Sequence, residues 1–127
     1  MKPVRRRHKA LFVCSANIDR SPTAEKLFQN WKGRWKAMSA GIAPSPGRNH
    51  LTQKLIDWAD LVMVMEPLHS EYVHTHFKCD PNKVRVLDIV NRYIRDEPEL
   101  IQLLQMKVAP ILDLEDRLND LSRKTRE

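Results

Sequence analysis

Residues 11–28 read LFVCSANIDRSPTAEKLF. Ala10 to Val13 is a short continuous apolar run bounded by polar residues, the pattern of a strand buried on both faces of a parallel sheet. Ser21 and Pro22 then mark a helix start, with Ser at the N-cap and Pro at the first helical position. Ala24, Leu27, Phe28 and Trp31 follow at i, i+3, i+4 and i+7, one apolar stripe to lay against the sheet. Buried strand, tight loop and amphipathic helix, in that order, predict an α/β fold built on a parallel sheet.

The same alternation continues outward. Gly33 ends the helix, and Trp35 to Ser39 reads as a second strand running into Ala40 and Gly41. Pro44, Pro46 and Gly47 make a loop, and Leu51, Leu55, Ile56 and Ala59 suggest a short helix between Asn49 and Ala59. LVMVM at 61–65 is a third strand, after which Pro67 opens a helix expected to turn Leu68, Tyr72, Val73 and Phe77 inward. KVRVLDI at 83–89 reads as a fourth strand. Asp96 and Glu99 stand in capping-box spacing around Pro98, ahead of a helix with Leu100, Ile101, Leu103 and Leu104 inward. Pro110 is expected to interrupt it, leaving a final helix through Leu112, Leu114, Leu118 and Leu121. The expectation is a three-layer α/β domain, residues 1–127, with four parallel strands joined by right-handed crossovers and helices on both faces. A basic arm at 1–8 and the tail at about 122–127 read as flexible ends.

The chain has 127 residues, 42% hydrophobic and 30% charged, which suits one soluble core. No run of 18 apolar residues occurs, and the apolar run near the start is too short for a signal segment, so a cytoplasmic protein with no membrane contact is expected. Cys14 and Cys79 then read as free thiols rather than a bridge. The net charge of +6 permits an anionic partner, but nucleic acid has little beyond charge in its favour.

Ligands of such sheets bind outside the carboxyl ends of the strands, where Cys14 to Arg20 must lie. The loop leads into a helix N-terminus, whose free N–H groups and dipole favour an anion, and successive inward N–H groups make a nest of phosphate size. Arg20 can hold two phosphate oxygens through its planar fork. The same positive field favours a thiolate, and a thiolate beneath a phosphoryl group is a placed nucleophile. A cysteine at a strand end is also common as plain packing; strand, loop, Ser-Pro helix start and apolar stripe together favour chemistry.

LFVCSANIDRSPTAE at 11–25, SAG at 39–41, LIDWADLVMVME at 55–66, LDIVNRY and DEPELIQLL together resemble the low-molecular-weight protein tyrosine phosphatases, in particular their short relatives, along almost the whole chain. The resemblance implies a flavodoxin-like fold and hydrolysis of phosphate monoesters through a cysteinyl-phosphate, with no metal and no cofactor. The implied substrate is a phosphorylated protein or small aryl phosphate, with inorganic phosphate as product. Cys14 matches the nucleophile, Arg20 the phosphate clamp, Asn17 the brace of the loop, and Ser21 the hydroxyl that serves the thiolate. Backbone N–H groups of Ser15, Ala16, Asn17, Ile18, Asp19 and Arg20 match the phosphate cradle.

The sequence departs from that family where an aspartic acid should protonate the leaving group, because Asn91 stands there. General acid catalysis is commonly worth about 10²–10⁴ in rate, so its loss costs roughly 3 to 5 kcal/mol of barrier. Asp88 and Asp96 are the candidate substitutes, although each also reads as a cap. Ala16 stands where a glycine is frequent, and Asp19 where a second cysteine is, so no vicinal disulfide can protect Cys14 and the Asp19 carboxylate must point outward. Ile42 to Arg48 forms a shortened rim. His74, His76 and Cys79 are too few and badly phased on a helix for a metal site. Two other readings stand beside the phosphatase: an arsenate reductase on the same fold using Cys79, and a phosphate- or phosphoprotein-binding module with little turnover.

Overall fold

A computed structural model describes residues 7–126, with side chains to residue 122. Four parallel strands, β1 (His8–Cys14), β2 (Trp35–Gly41), β3 (Leu61–Val64) and β4 (Val84–Val86), lie in the order β2-β1-β3-β4. Four α-helices connect or follow them: α1 (Arg20–Phe28), α2 (Gln53–Trp58), α3 (Pro67–His76) and α4 (Pro98–Arg126). This is the expected doubly covered parallel sheet. β1 lies between β2 and β3, so both its faces are buried, and its period of two sends Ala10, Phe12 and Cys14 toward α1 and α4 while Leu11 and Val13 face α2 and α3.

Several local expectations give way to tertiary packing. His8 is the first residue of β1 rather than part of a loose arm, because its Nε2 lies 3.1 Å from Asp116 and its ring packs on Trp35; residues 1–6 and Glu127 lie outside the described residues. α1 begins at Arg20, not Pro22. Asp19 occupies the N-cap and makes no side-chain capping bond, while the Ser21 hydroxyl faces Cys14 instead. β4 is only three residues long; β3 has already ended, and beyond Val86 single bonds from Leu87 and Ile89 N–H to Val64 and Met65 carbonyls replace a ladder. In α3 Leu68 is 49% exposed and His69 is buried in its stead.

The C-terminal half of the chain changes most. α4 is one helix of 29 residues that runs through Pro110. Leu100, Leu104, Val108 and Leu112 are buried at successive four-residue steps, so contacts on both sides of the proline hold the axis despite the lost N–H. Leu114, Leu118 and Leu121 are exposed, whereas Asp116 is buried with Leu112 and accepts from Trp35 Nε1 at 3.3 Å. Asp96 is not the helix cap: its backbone is left-handed, its N–H donates to Thr23 Oγ1, and Glu97 directly precedes Pro98. No helix among the described residues is long and apolar enough to cross a membrane.

Candidate active site

The loop between β1 and α1 closes at the carboxyl edge of the sheet, and its shape follows from where its carbonyls go. Cys14, Ser15 and Ala16 carbonyls accept from the N–H groups of Ile42, Ala43 and Ser45 at 3.1, 2.9 and 3.1 Å. The Asn17 and Ile18 carbonyls accept from Arg48 Nε and Arg95 Nε, and the Asp19 carbonyl from Thr23. Every carbonyl from Cys14 to Asp19 is thus turned outward. Peptide planarity sends the following N–H groups the other way, and those of Ser15, Ala16, Ile18 and Asp19 have no partner among the described residues. The result is a concave ring of donors suited to a tetrahedral anion.

Cys14 lies on the floor of this ring. Its Sγ is 2.9 Å from Ser21 Oγ and accepts from Asn17 N–H at 3.3 Å. Asn17 has φ of 57° and is fully buried; its Nδ2 donates to Ser21 and Ser39 hydroxyls at 3.0 Å each, and its Oδ1 accepts from Asn49 N–H at 3.1 Å. These anchors hold a backbone conformation that asparagine tolerates better than most residues. Gly41, at the end of β2, backs the loop so closely that a Cβ would lie 2.5 Å from the Ser15 carbonyl oxygen and 3.0 Å from Asn17 N.

Arg20 is 2% exposed. Its Nη1 donates to Glu66 Oε2 at 2.6 Å and to the Ile89 carbonyl at 2.7 Å, leaving the other guanidinium edge for the ring. Glu66 follows β3 at the same carboxyl edge. Next to it, His69 has its pKa lowered to about 4, first by burial and then by Arg20, with Glu66 opposing. The imidazole is therefore neutral at pH 7. Its Nδ1 accepts from Glu66 N–H at 3.0 Å, so Nε2 carries the proton and donates to Ser15 Oγ at 2.9 Å. That leaves the Ser15 hydroxyl proton available to the anion ring.

Cys14, Ser15, Ala16, Asn17, Ile18, Asp19, Arg20 and Ser21 lie together in and next to this loop, and Asp19 points outward, accepting from Arg95 N–H at 2.9 Å. Asn91 and Asp88 are exposed on the segment after β4, on either side of Ile89. Asp88 is left-handed, at φ of 55°, and its carbonyl rather than its carboxylate is engaged, by Lys107. Asp96 sits 3.4 Å from Lys26. Sequence reasoning does not single out Glu66 or His69; the one signal for them is an acidic residue directly after a buried strand, at the edge where ligands bind.

Cys79 lies between α3 and β4, at the opposite edge of the sheet from Cys14, and its thiol is pushed up chiefly by burial. A relay needing Cys79 to attack an adduct on Cys14 has no support in this arrangement. His74 and His76 are exposed, His76 stacking on Tyr72, and no group of three or more His, Cys, Asp or Glu suited to a metal occurs among the described residues.

Comparison with known proteins gives a family and a fold. Residues 9–51 match the family model described as low molecular weight phosphotyrosine protein phosphatase. A protein-arginine-phosphatase from Bacillus subtilis (strain 168) is 31% identical over an alignment of 102 residues, covering 61% of this chain and 68% of the relative. Among solved structures, a mutant YwlE arginine phosphatase with a phosphorylated active-site serine superimposes with a TM-score of 0.70 at 26% identity, over 87% of this chain and 99% of that one. The YwlE arginine phosphatase from Geobacillus stearothermophilus shares the fold, with a TM-score of 0.68 at 24% identity over 85% of this chain and 94% of that chain.

Proposed function

Because the chain belongs to the low molecular weight phosphotyrosine protein phosphatase family, whose members are cysteine-dependent hydrolases, we propose that it hydrolyses aryl phosphate monoesters of the phosphotyrosine type through a cysteinyl-phosphate on Cys14. The observation that carries the reading is the ring of outward carbonyls and inward N–H groups above a thiol that accepts from Asn17 N–H and lies 2.9 Å from Ser21 Oγ.

In the first step Sγ attacks phosphorus while the P–O bond to the leaving group breaks; the free edge of Arg20 and the ring N–H groups carry the equatorial oxygens. Ser21, fixed by Asn17, donates to the thiolate. Water then attacks the phosphoryl group, the S–P bond breaks, and inorganic phosphate leaves with the thiolate restored. Asn91 cannot protonate the leaving oxygen, so formation of the intermediate is slow for poor leaving groups and faster for stable aryl oxides.

The aryl preference is supported by the mouth: Ile18, Val90 and Ile94 are exposed aliphatic side chains on the loop and on the segment that reaches Arg20. Phosphoarginine is the second reading, favoured by the name of the Bacillus subtilis relative. Initial rates on a phosphotyrosine peptide and a phosphoarginine peptide, for wild type and Cys14→Ser, decide between them. Faster turnover of the phosphotyrosine peptide supports the proposal, and faster turnover of phosphoarginine transfers it to the second reading. Wild-type rates no higher than those of Cys14→Ser leave only a binding module.

A further inference from the structure

The phosphate loop contains no glycine between Cys14 and Arg20, so something outside it must hold its apex. Two arginines from separate segments do so on adjacent carbonyls. Arg48, in the turn after β2, donates from Nε to the Asn17 carbonyl at 2.7 Å, and its neighbour Asn49 takes the Asn17 side chain at 3.1 Å. Arg95, ahead of α4, donates from Nε to the Ile18 carbonyl at 2.6 Å, and its own N–H takes the Asp19 carboxylate at 2.9 Å.

We propose that Arg48 and Arg95 are positioning residues that aim the cradle, each setting one anion-binding N–H. The peptide unit is planar: turning the Asn17 carbonyl toward Arg48 turns Ile18 N–H into the ring, and turning the Ile18 carbonyl toward Arg95 does the same for Asp19 N–H. The Arg95 contact also explains how an aspartate is tolerated in an anion loop, since its charge is drawn to the outer side. Both guanidiniums act through the rigid Nε–H beside the stem, a direction that the ammonium of lysine does not reproduce. Their role is thus in the direction of the bond, not in net charge.

This inference rests on the phosphatase reading above, so its test includes binding as well as turnover. Arg48→Ala, Arg95→Ala and the corresponding Lys variants are compared with wild type for kcat and KM on an aryl phosphate, for the Kd of inorganic phosphate by calorimetry, and for thermal melting. Misplacing reacting groups by about 1 Å costs about 10²-fold, and one misdirected donor is expected to lower kcat about 10-fold or more. Phosphate binding should weaken several-fold with an unchanged melting temperature, and the Lys variants should resemble the Ala variants. Ala variants within twofold of wild type in kcat and Kd, or Lys variants that restore both fully, overturn the proposal. Should an Ala variant fail to fold, the Lys variant alone carries the same test. A wild type that neither binds phosphate nor turns over substrate ends the phosphatase reading itself, whereas a wild type that does both while its variants are unaffected ends only the role of the arginines.

Discussion

Replacing Gly41 by alanine adds one methyl group on the far side of the cradle from the substrate. The new Cβ would stand 2.5 Å from Ser15 O, 3.0 Å from Asn17 N and 3.2 Å from the Ala16 carbonyl carbon. All three are backbone atoms of the phosphate loop, so no side chain can swing aside, and real Cβ contacts stay at 3.0 Å or more. The loop or the end of β2 must retreat by about half an ångström, and the bonds from Ile42 and Ala43 to Cys14 and Ser15, now 3.1 and 2.9 Å, stretch with it. Overpacking of this kind costs roughly 1–3 kcal/mol of stability. The effect on turnover is of similar size in free energy, because a displacement approaching 1 Å at the reacting centre is worth about 10²-fold. Gly41→Ala is therefore expected to lower kcat on an aryl phosphate by about 10- to 10²-fold, while its melting temperature falls by only several degrees and its circular dichroism stays that of wild type. A variant that keeps its kcat within twofold would show that the packing between β2 and the loop does not set the cradle, and the reasoning would fail.

Other expectations can be checked with the same assays. Asn91→Asp should raise kcat about 10-fold or more on an alkyl or phenyl phosphate and much less on a nitrophenyl ester; an equal effect on both would remove residue 91 from the acid's place. His69 titrates near 6.5 when unfolded and near 4 when folded, so the unfolded chain binds the extra proton between those values. The stability tied to neutral His69 is fully present above pH 6.5 and is lost as pH falls toward 4, to a total on the order of 3 kcal/mol at most. Urea midpoints at pH 7.5 and 5 for wild type and His69→Gln test this, and identical pH slopes would count against it. Pro110→Ala, at an exposed position inside α4, should stabilise the protein by roughly 1–2 kcal/mol through the restored helical N–H and the relieved ring clash. A lower melting temperature for that variant would mean that the proline is required where it stands.

Much of the candidate site was legible because its loop is local in sequence. Cys14 to Ser21 are consecutive, and β1 and α1 on either side of them carry their own periodicity, so the address and kind of the loop could be read from a single stretch. Asp19 could be placed outside the cradle from charge alone. The errors fall where long-range contacts outweigh local pattern. Ser21 has the identity of an N-cap, yet its hydroxyl is drawn to Cys14 and Asn17, and the helix starts two residues earlier. Leu68 fits an inward stripe, but His69 takes the buried position because Ser15 and Glu66 N–H supply both its ring nitrogens with partners. Pro110 reads as a break, and contacts from Val108 and Leu112 carry the helix through it.

The sequence by itself determined the parallel α/β class, the cysteine loop at the end of the first strand and the arginine that closes the same loop, because each depends on residues at most a few positions apart. Only the tertiary structure decided that Glu66 and Ile89 orient Arg20, that His69 is neutral against Ser15, that Gly41 must lack a side chain, and that Arg48 and Arg95 turn two loop carbonyls outward. The hydrogen-bonded pairs among these are between 31 and 77 positions apart along the chain. No periodicity encodes such pairs; they meet because β1, β2, β3 and the segment after β4 all end at one edge of the sheet.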